Sequence, residues 1–268
     1  MSETAARGRG FGVAGALPHD IVRTLAPAAE AAGYRTFWVN DTPQGDGLAA
    51  LAAAAAVTRA IRLGVGVIPL DRVPAARIAA RVAALGLPED RLTLGIGSGG
   101  QAGGVRRVRD GAPLLEARTA ARVEIGALGP KMCALAGEAA DGVLLNWLTP
   151  AWIAPSAEIT LHAAEAAGRP RPQIDAYIRV ALGDAAIARL REEADRYASY
   201  PAYAANFARM GAAAIDTAVA GTEPDQIRAG LAAFAGPLDE VIVRAIVGEE
   251  TADAYLALLH AAAPRSSR

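Results

Sequence analysis

The sequence predicts an α/β fold, a single (β/α)8 barrel of the TIM type with a helical insertion between its seventh and eighth strands. Three observations carry that expectation. Short apolar or β-branched runs alternate with longer Ala-rich helical patterns, the signature of repeated βα units on a parallel sheet. Eight such runs can be counted. Two of them, successive in the chain, end in glycine turns, Gly97-Ser98-Gly99-Gly100 and Gly129-Pro130-Lys131. A chain of 268 residues is also long enough for a barrel, which needs about 250 residues as one domain. No polar linker divides it, so one domain spanning 1–268 is expected.

Taken in order, the expected strands are residues 10–15, 36–41, 63–69, 92–97, 123–128, 142–148, 174–182 and 240–247. Punctuation between them supports the helices: Pro18, Pro74 and Pro130 stand at first turns, and Gly33 and Gly86 stand just past helix ends. The Ala-rich stretch 48–57 reads as a helix because alanine has the best helix propensity. Spacing is uneven. Residues 100–122 leave room for one short helix, whereas 183–239 hold two or three. In that long segment Tyr197, Tyr200, Tyr203 and Phe207 recur three and four apart, interrupted by Pro201. Such a stripe is either buried core or a dimer contact, or an aromatic wall facing substrate.

Composition excludes several partners. A formal net charge of −1, with basic residues spread along the chain, provides no stripe for nucleic acid or anionic lipid. No uncharged apolar stretch reaches the ~18 residues of a membrane span, and the first ten residues lack an apolar leader core. Cys133 is the only cysteine, which excludes an internal disulfide and points to the cytoplasm.

The glycine turns suit phosphate, because glycine lets backbone amides approach an anion and a helix start adds partial positive charge. Glycine also serves simply to leave a strand. The pattern G-x-G-x-x-G occurs at Gly10, Gly12 and Gly15, with Asp41 one strand later, but residues 1–9 are polar, so these glycines fall inside a strand and not in the turn of a Rossmann fingerprint. The second match, Gly95, Gly97 and Gly100, follows strand residues, yet the next acid at a comparable interval, Glu116, falls in a helical stretch. His19, His162 and His260 lie in or beside helical patterns. A metal site or a Ser-His-Asp triad thus lacks its histidine at a strand end, and no metal is expected.

The run Ile125-Gly-Ala-Leu-Gly-Pro-Lys-Met132, then Leu135-Ala-Gly-Glu-Ala-Ala-Asp-Gly-Val143, resembles the luciferase-like monooxygenase superfamily. Leu63-Gly-Val-Gly-Val67 with Arg72 and Pro74, and Leu94-Gly-Ile-Gly-Ser-Gly99, are similar to its third and fourth strands. Within the superfamily the sequence resembles most the oxidoreductases that use the deazaflavin coenzyme F420, with flavin mononucleotide (FMN) as the nearest alternative cofactor. The resemblance implies hydride transfer to or from a small organic substrate, a cofactor at the C-terminal ends of the strands, and a homodimer. It assigns Gly97, Ser98 and Gly99, and Gly129, Pro130 and Lys131, to the cofactor's ribityl chain and phosphate. It places Gly66 and Val67 behind the ring, at a bulge where relatives have a non-prolyl cis peptide, and Asp41 near the ring. Asn146 and Trp147 are further candidates for the pocket wall, Trp147 alternatively for packing.

Departures from the family pattern fall at Thr42 and Gly100, where some sugar-phosphate dehydrogenase relatives have a histidine and a glutamate. Asp41 is then the candidate for a protonic role, and Arg179 and Arg244 are the candidates for holding substrate. Arginine facing a barrel interior suggests anion binding, unless a salt bridge between strands accounts for it. The vacancies also leave open a monooxygenase using FMN, or an accessory protein that binds flavin without catalysis.

Overall fold

The computed structural model describes residues 8–234 and 236–264. Eight parallel strands close a ring: β1 (Gly8–Ala14), β2 (Thr36–Asn40), β3 (Arg62–Pro69), β4 (Leu92–Gly97), β5 (Arg122–Ala127), β6 (Gly142–Asn146), β7 (Gln173–Leu182) and β9 (Glu240–Ile246). Pairing of β6 with β7, and of β9 with both β7 and β1, completes the closure. The expected barrel is therefore present.

One strand is additional. β8 (Val219–Gly221) lies outside the ring on the edge of β7, within the long insertion. Three residues are too few to show a period of two, so the sequence pattern carries no sign of it.

Around the ring run α1 (His19–Ala31), α2 (Gly47–Ala55), α3 (Ala75–Ala84), α4 (Gly104–Glu116), α5 (Pro130–Ala139) and α6 (Pro150–Ala166). The insertion carries α7 (Asp184–Ala198), α8 (Pro201–Met210) and α9 (Pro224–Ala232), and α10 (Ala252–Ala261) follows β9. Their ends obey the expected chemistry. Pro18 and Pro74 precede α1 and α3, Pro130 opens α5, and Gly33 and Gly86 take positive φ just beyond α1 and α3. Pro201 separates α7 from α8. Among the described residues no helix is long and apolar enough to cross a membrane.

The main core lies between the ring and the helices, where the apolar faces of strands and helices meet. Inside the ring the side chains form three levels. At the N-terminal end stand Glu124, Asp175 and Glu240, all buried. The middle level is Trp38, Leu144, Tyr177 and Ile242. The third, toward the C-terminal ends, holds Asn40, Asn146, Arg179 and Arg244, with Arg179 directly opposite Arg244 in the β7–β9 register.

Glycines make this filling possible. Gly10 and Gly12 lie inside β1, where a Cβ at Gly10 would meet the Glu240 carboxylate at 2.3 Å and one at Gly12 would meet Tyr177 at 3.1 Å. They are space for neighbouring side chains, as their place inside a strand requires, and no turn of a nucleotide fingerprint.

Candidate active site at the barrel mouth

The β3 strand breaks its register against β4 between Val65 and Ile68, and the Gly66-Val67 peptide is cis. The bulge and cis bond expected at this pair are both present. Asn40 Nδ2 donates to the Gly66 carbonyl at 3.0 Å. The Val67 side chain leans across the ends of β4 and β5, and the glycines there leave it room. A Cβ at Gly97 or Gly126 would stand 2.7 Å from a Val67 methyl, and one at Gly95 would stand 2.5 Å from the Val65 carbonyl oxygen. Gly97 is thus a packing glycine, whatever else it does.

The turn after β4 has a resident anion. Gly99 adopts φ +68°, and the next two amides, Gly100 and Gln101, both donate to Asp71 Oδ2 at 2.9 and 3.1 Å. Successive amides converging on one oxygen form an anion nest, and here a side chain fills it. The turn after β5 differs. A Cβ at Gly129 would meet nothing within 4 Å, Pro130 opens α5, and Lys131 is exposed. Of the two expected phosphate turns, the second is open and part of the first is taken.

Asp41 accepts from the Gly47 amide at 2.9 Å and pairs with Arg72. It accepts in both contacts, which tie the end of β2 to the starts of α2 and of the β3–α3 loop. Neither contact presents a proton.

Arg179 is 3 % exposed and held by three neighbours. Its Nε donates to Glu193 at 2.9 Å, its Nη1 donates to Asn146 Oδ1 at 2.6 Å, and its guanidinium stacks 3.6 Å from the Trp147 ring centre. Its partner is a helix carboxylate, so no bridge between strands accounts for it. Trp147 is enclosed at 1 % exposure and holds φ +53°, a conformation a bulky residue adopts only when its surroundings impose it. Asn206 donates to its carbonyl at 2.9 Å, and Tyr197 and Phe207 pack on its ring at 4.7 and 5.7 Å. Tyr203 follows Tyr197 at 4.8 Å, while Tyr200 is exposed. The aromatic stripe is therefore largely packing, clasped on Trp147 and Arg179.

Arg244 is 9 % exposed; among the described residues no carboxylate lies within ion-pair distance of it, and its Nη1 donates to the neighbouring Ala245 carbonyl. It lines a cavity of about 270 Å³ at the ends of β1, β2 and β9, shared with Thr42, Arg189, Glu193, Arg196 and Tyr255. Burial pushes the Glu193 carboxyl up, but Arg244 and Arg179 beside it hold it below its ordinary value.

Several buried polar atoms here have no partner: Asn40 Oδ1, Thr42 Oγ1, Tyr177 Oη and Trp147 Nε1. Asn40, Thr42 and Trp147 lie at or just beyond the C-terminal ends of β2 and β6, and Tyr177, in the middle level, points its hydroxyl toward Gly66. Native interiors satisfy nearly all such atoms, so a group of them at one end of a barrel marks a place for a ligand. Asn40, Tyr177, Glu193 and Asp71 were not among the expected site residues. For Tyr177 a signal existed, since Asp175, Tyr177 and Arg179 put polar groups at every second position of an apolar run.

Residues 4–119 match the family model described as luciferase-like monooxygenase. This stretch, less than half of the chain, is similar to that family. Solved structures extend the likeness to the fold of the rest of the chain. The coenzyme F420 dependent tetrahydromethanopterin reductase from Methanopyrus kandleri superposes with a TM-score of 0.72 at 17 % identity, covering 95 % of this chain and 98 % of that one. An F420-dependent secondary alcohol dehydrogenase, in complex with an F420-acetone adduct, gives 0.71 at 15 % identity, covering 95 % and 99 %. The oxygenating constituent of 3,6-diketocamphane monooxygenase from Pseudomonas putida, in complex with FMN, gives 0.65 at 16 % identity, covering 91 % and 92 %. The chain thus shares its barrel fold with two F420-dependent proteins and with one solved in complex with FMN.

Proposed function

We propose that the protein is a deazaflavin- or flavin-dependent oxidoreductase, with coenzyme F420 as its cofactor and FMN as the alternative, that transfers hydride to or from a small organic substrate. The observation that carries this reading is the pair of unpartnered polar atoms, Asn40 Oδ1 and Tyr177 Oη, on residues beside the Gly66-Val67 bulge of the barrel. Neighbours that carry F420 or FMN on the same barrel support it.

When bound, such a cofactor supplies the hydride chemistry. The protein's part is to bind, orient and exclude water. Gly66 and Val67 form a bed at the bulge, and Asn40 and Tyr177 present polar atoms beside it. Gly97, Ser98 and Gly99 are available for the ribityl chain. Gly129, Pro130 and Lys131 are the open turn for the phosphate, since Asp71 already holds the Gly100 and Gln101 amides. Asn146 and Trp147 are held by Arg179 and by the insertion, and so shape the wall. Asp41 steadies the end of β2 through Gly47 and Arg72. The cytoplasm and a homodimer remain part of this reading.

The test is turnover. Purified protein is loaded with oxidised or reduced F420, or with FMN, and the cofactor's absorbance is followed against a panel of alcohols, carbonyl compounds and enones. Substrate-dependent bleaching or recovery without oxygen supports the oxidoreductase. A strict need for oxygen with reduced FMN redirects the reading to a monooxygenase. Tight binding with no turnover favours an accessory protein.

A further inference from the structure

We propose that the substrate is an organic anion, and that Arg244 with Thr42 holds its carboxylate in the cavity at the ends of β1, β2 and β9. This rests on the oxidoreductase reading for the word substrate, but the anion site stands on its own geometry.

Arg179 and Arg244 are in direct register across β7 and β9, and both are nearly buried. Charged side chains this deep are normally paired, because an uncompensated charge in a low-dielectric site is costly. One carboxylate serves them. Glu193 lies 2.9 Å from Arg179 Nε and 3.8 Å from Arg196 Nη2, so its contacts go to these two, and Arg244 feels its charge without reaching ion-pair distance. Of the other charges on the cavity rim, Arg189 pairs with Glu250, and Glu192 is solvent-exposed. Among the described residues Arg244 is a buried cation with no contact ion pair, and its hydrogen-bond acceptor is a carbonyl on its own strand.

The same cavity contains the Thr42 hydroxyl, whose oxygen is buried and without a partner. A guanidinium without a carboxylate in ion-pair distance and a hydroxyl without a partner, opening on one space, are the donors that a carboxylate requires. The two arginines thus divide their roles. Arg179 is a structural cation, fixed by Glu193, Asn146 and Trp147, and Arg244 is the one available to a ligand. A volume of about 270 Å³ suits a small head group, with the remainder of the molecule continuing toward the bulge.

The test compares butyrate with butyramide, an uncharged molecule of nearly the same shape, by calorimetric titration of the full-length protein with and without bound F420 or FMN. The expected result is saturable binding of butyrate, at least tenfold weaker binding of butyramide, and butyrate affinity unchanged by the cofactor. Arg244→Gln should reduce butyrate affinity tenfold or more, Arg244→Lys should keep part of it, and Thr42→Val should weaken it several-fold. Arg77→Gln, an exposed site on α3, should change nothing. Circular dichroism on each variant separates loss of the site from loss of the fold. Equal binding of acid and amide, or full butyrate affinity in folded Arg244→Gln, overturns the proposal. Mutual exclusion of butyrate and cofactor also overturns it, because the cation would then belong to the cofactor's own phosphate. Butyrate binding without any flavin binding would sink the oxidoreductase reading and leave the anion site intact.

Discussion

At Val67 and its glycine neighbours the barrel mouth is shaped by what is missing. Gly97 and Gly126 are small because Val67 occupies the space a Cβ would need. Gly97→Ala and Gly126→Ala should each destabilise the protein by about 1–3 kcal/mol in chemical denaturation, the usual range for forced overpacking. Val67→Ala combined with either should recover much of that loss; additive losses would show that the clash is not the cause. A second residue, Glu124, is buried at the other end of the barrel with both carboxyl oxygens unpartnered. Burial pushes its pKa from 4.5 up to about 8, opposed by Arg122 and reinforced by Glu240. The folded protein therefore holds a proton that the unfolded chain releases near 4.5. Its contribution to stability is complete below that pH and is lost as pH climbs through about 8. Glu124→Gln, which stays neutral, should gain on wild type as pH rises from 5 to 8.5, by ~2–4 °C in Tm for each kcal/mol. A gap that does not change with pH would contradict this.

Among the elements, the strands were legible because a buried parallel strand writes itself as a short apolar run bounded by glycine or proline. All eight ring strands appear at the expected places, within a few residues at their ends. What the pattern could not carry was contact between distant segments. Nothing near Gly99 announces that Asp71, from the loop after β3, fills the β4 turn. Nothing near Arg179 announces Glu193, from the first helix of the insertion. Facing was also hidden, since both alternating sets of β9 are buried, one in the barrel and one under the helices. The Asp71 contact has a testable consequence. Asp71→Ala should free the Gly100 and Gln101 amides and speed limited proteolysis within residues 98–104 several-fold, without a comparable change in the global unfolding midpoint. An unchanged cleavage rate would show that the turn is ordered by its glycines alone.

For the whole molecule, the barrel separates two kinds of buried polarity. Glu124, Asp175 and Glu240 close the N-terminal end, with Trp38 and Thr36 donating to Glu240 at 2.8 and 3.0 Å. Asn40, Asn146, Arg179 and Arg244 stand toward the C-terminal mouth, where the unpartnered Asn40, Thr42 and Trp147 atoms lie and the insertion packs over Trp147. The uncharged unpartnered donors and acceptors toward the mouth, set against the carboxyl cluster that closes the floor, support the cofactor site proposed at the mouth. The bulge pair and the glycine turn after β5 were legible in the sequence; the unsatisfied donors and acceptors were not, since they exist only once the ring closes. Equilibrium titration of the purified protein with oxidised F420 and with FMN, followed by cofactor fluorescence, tests the proposed cofactor site most directly. Saturable binding of one of the two at one cofactor per chain is the predicted result, and failure of both to bind would contradict the account.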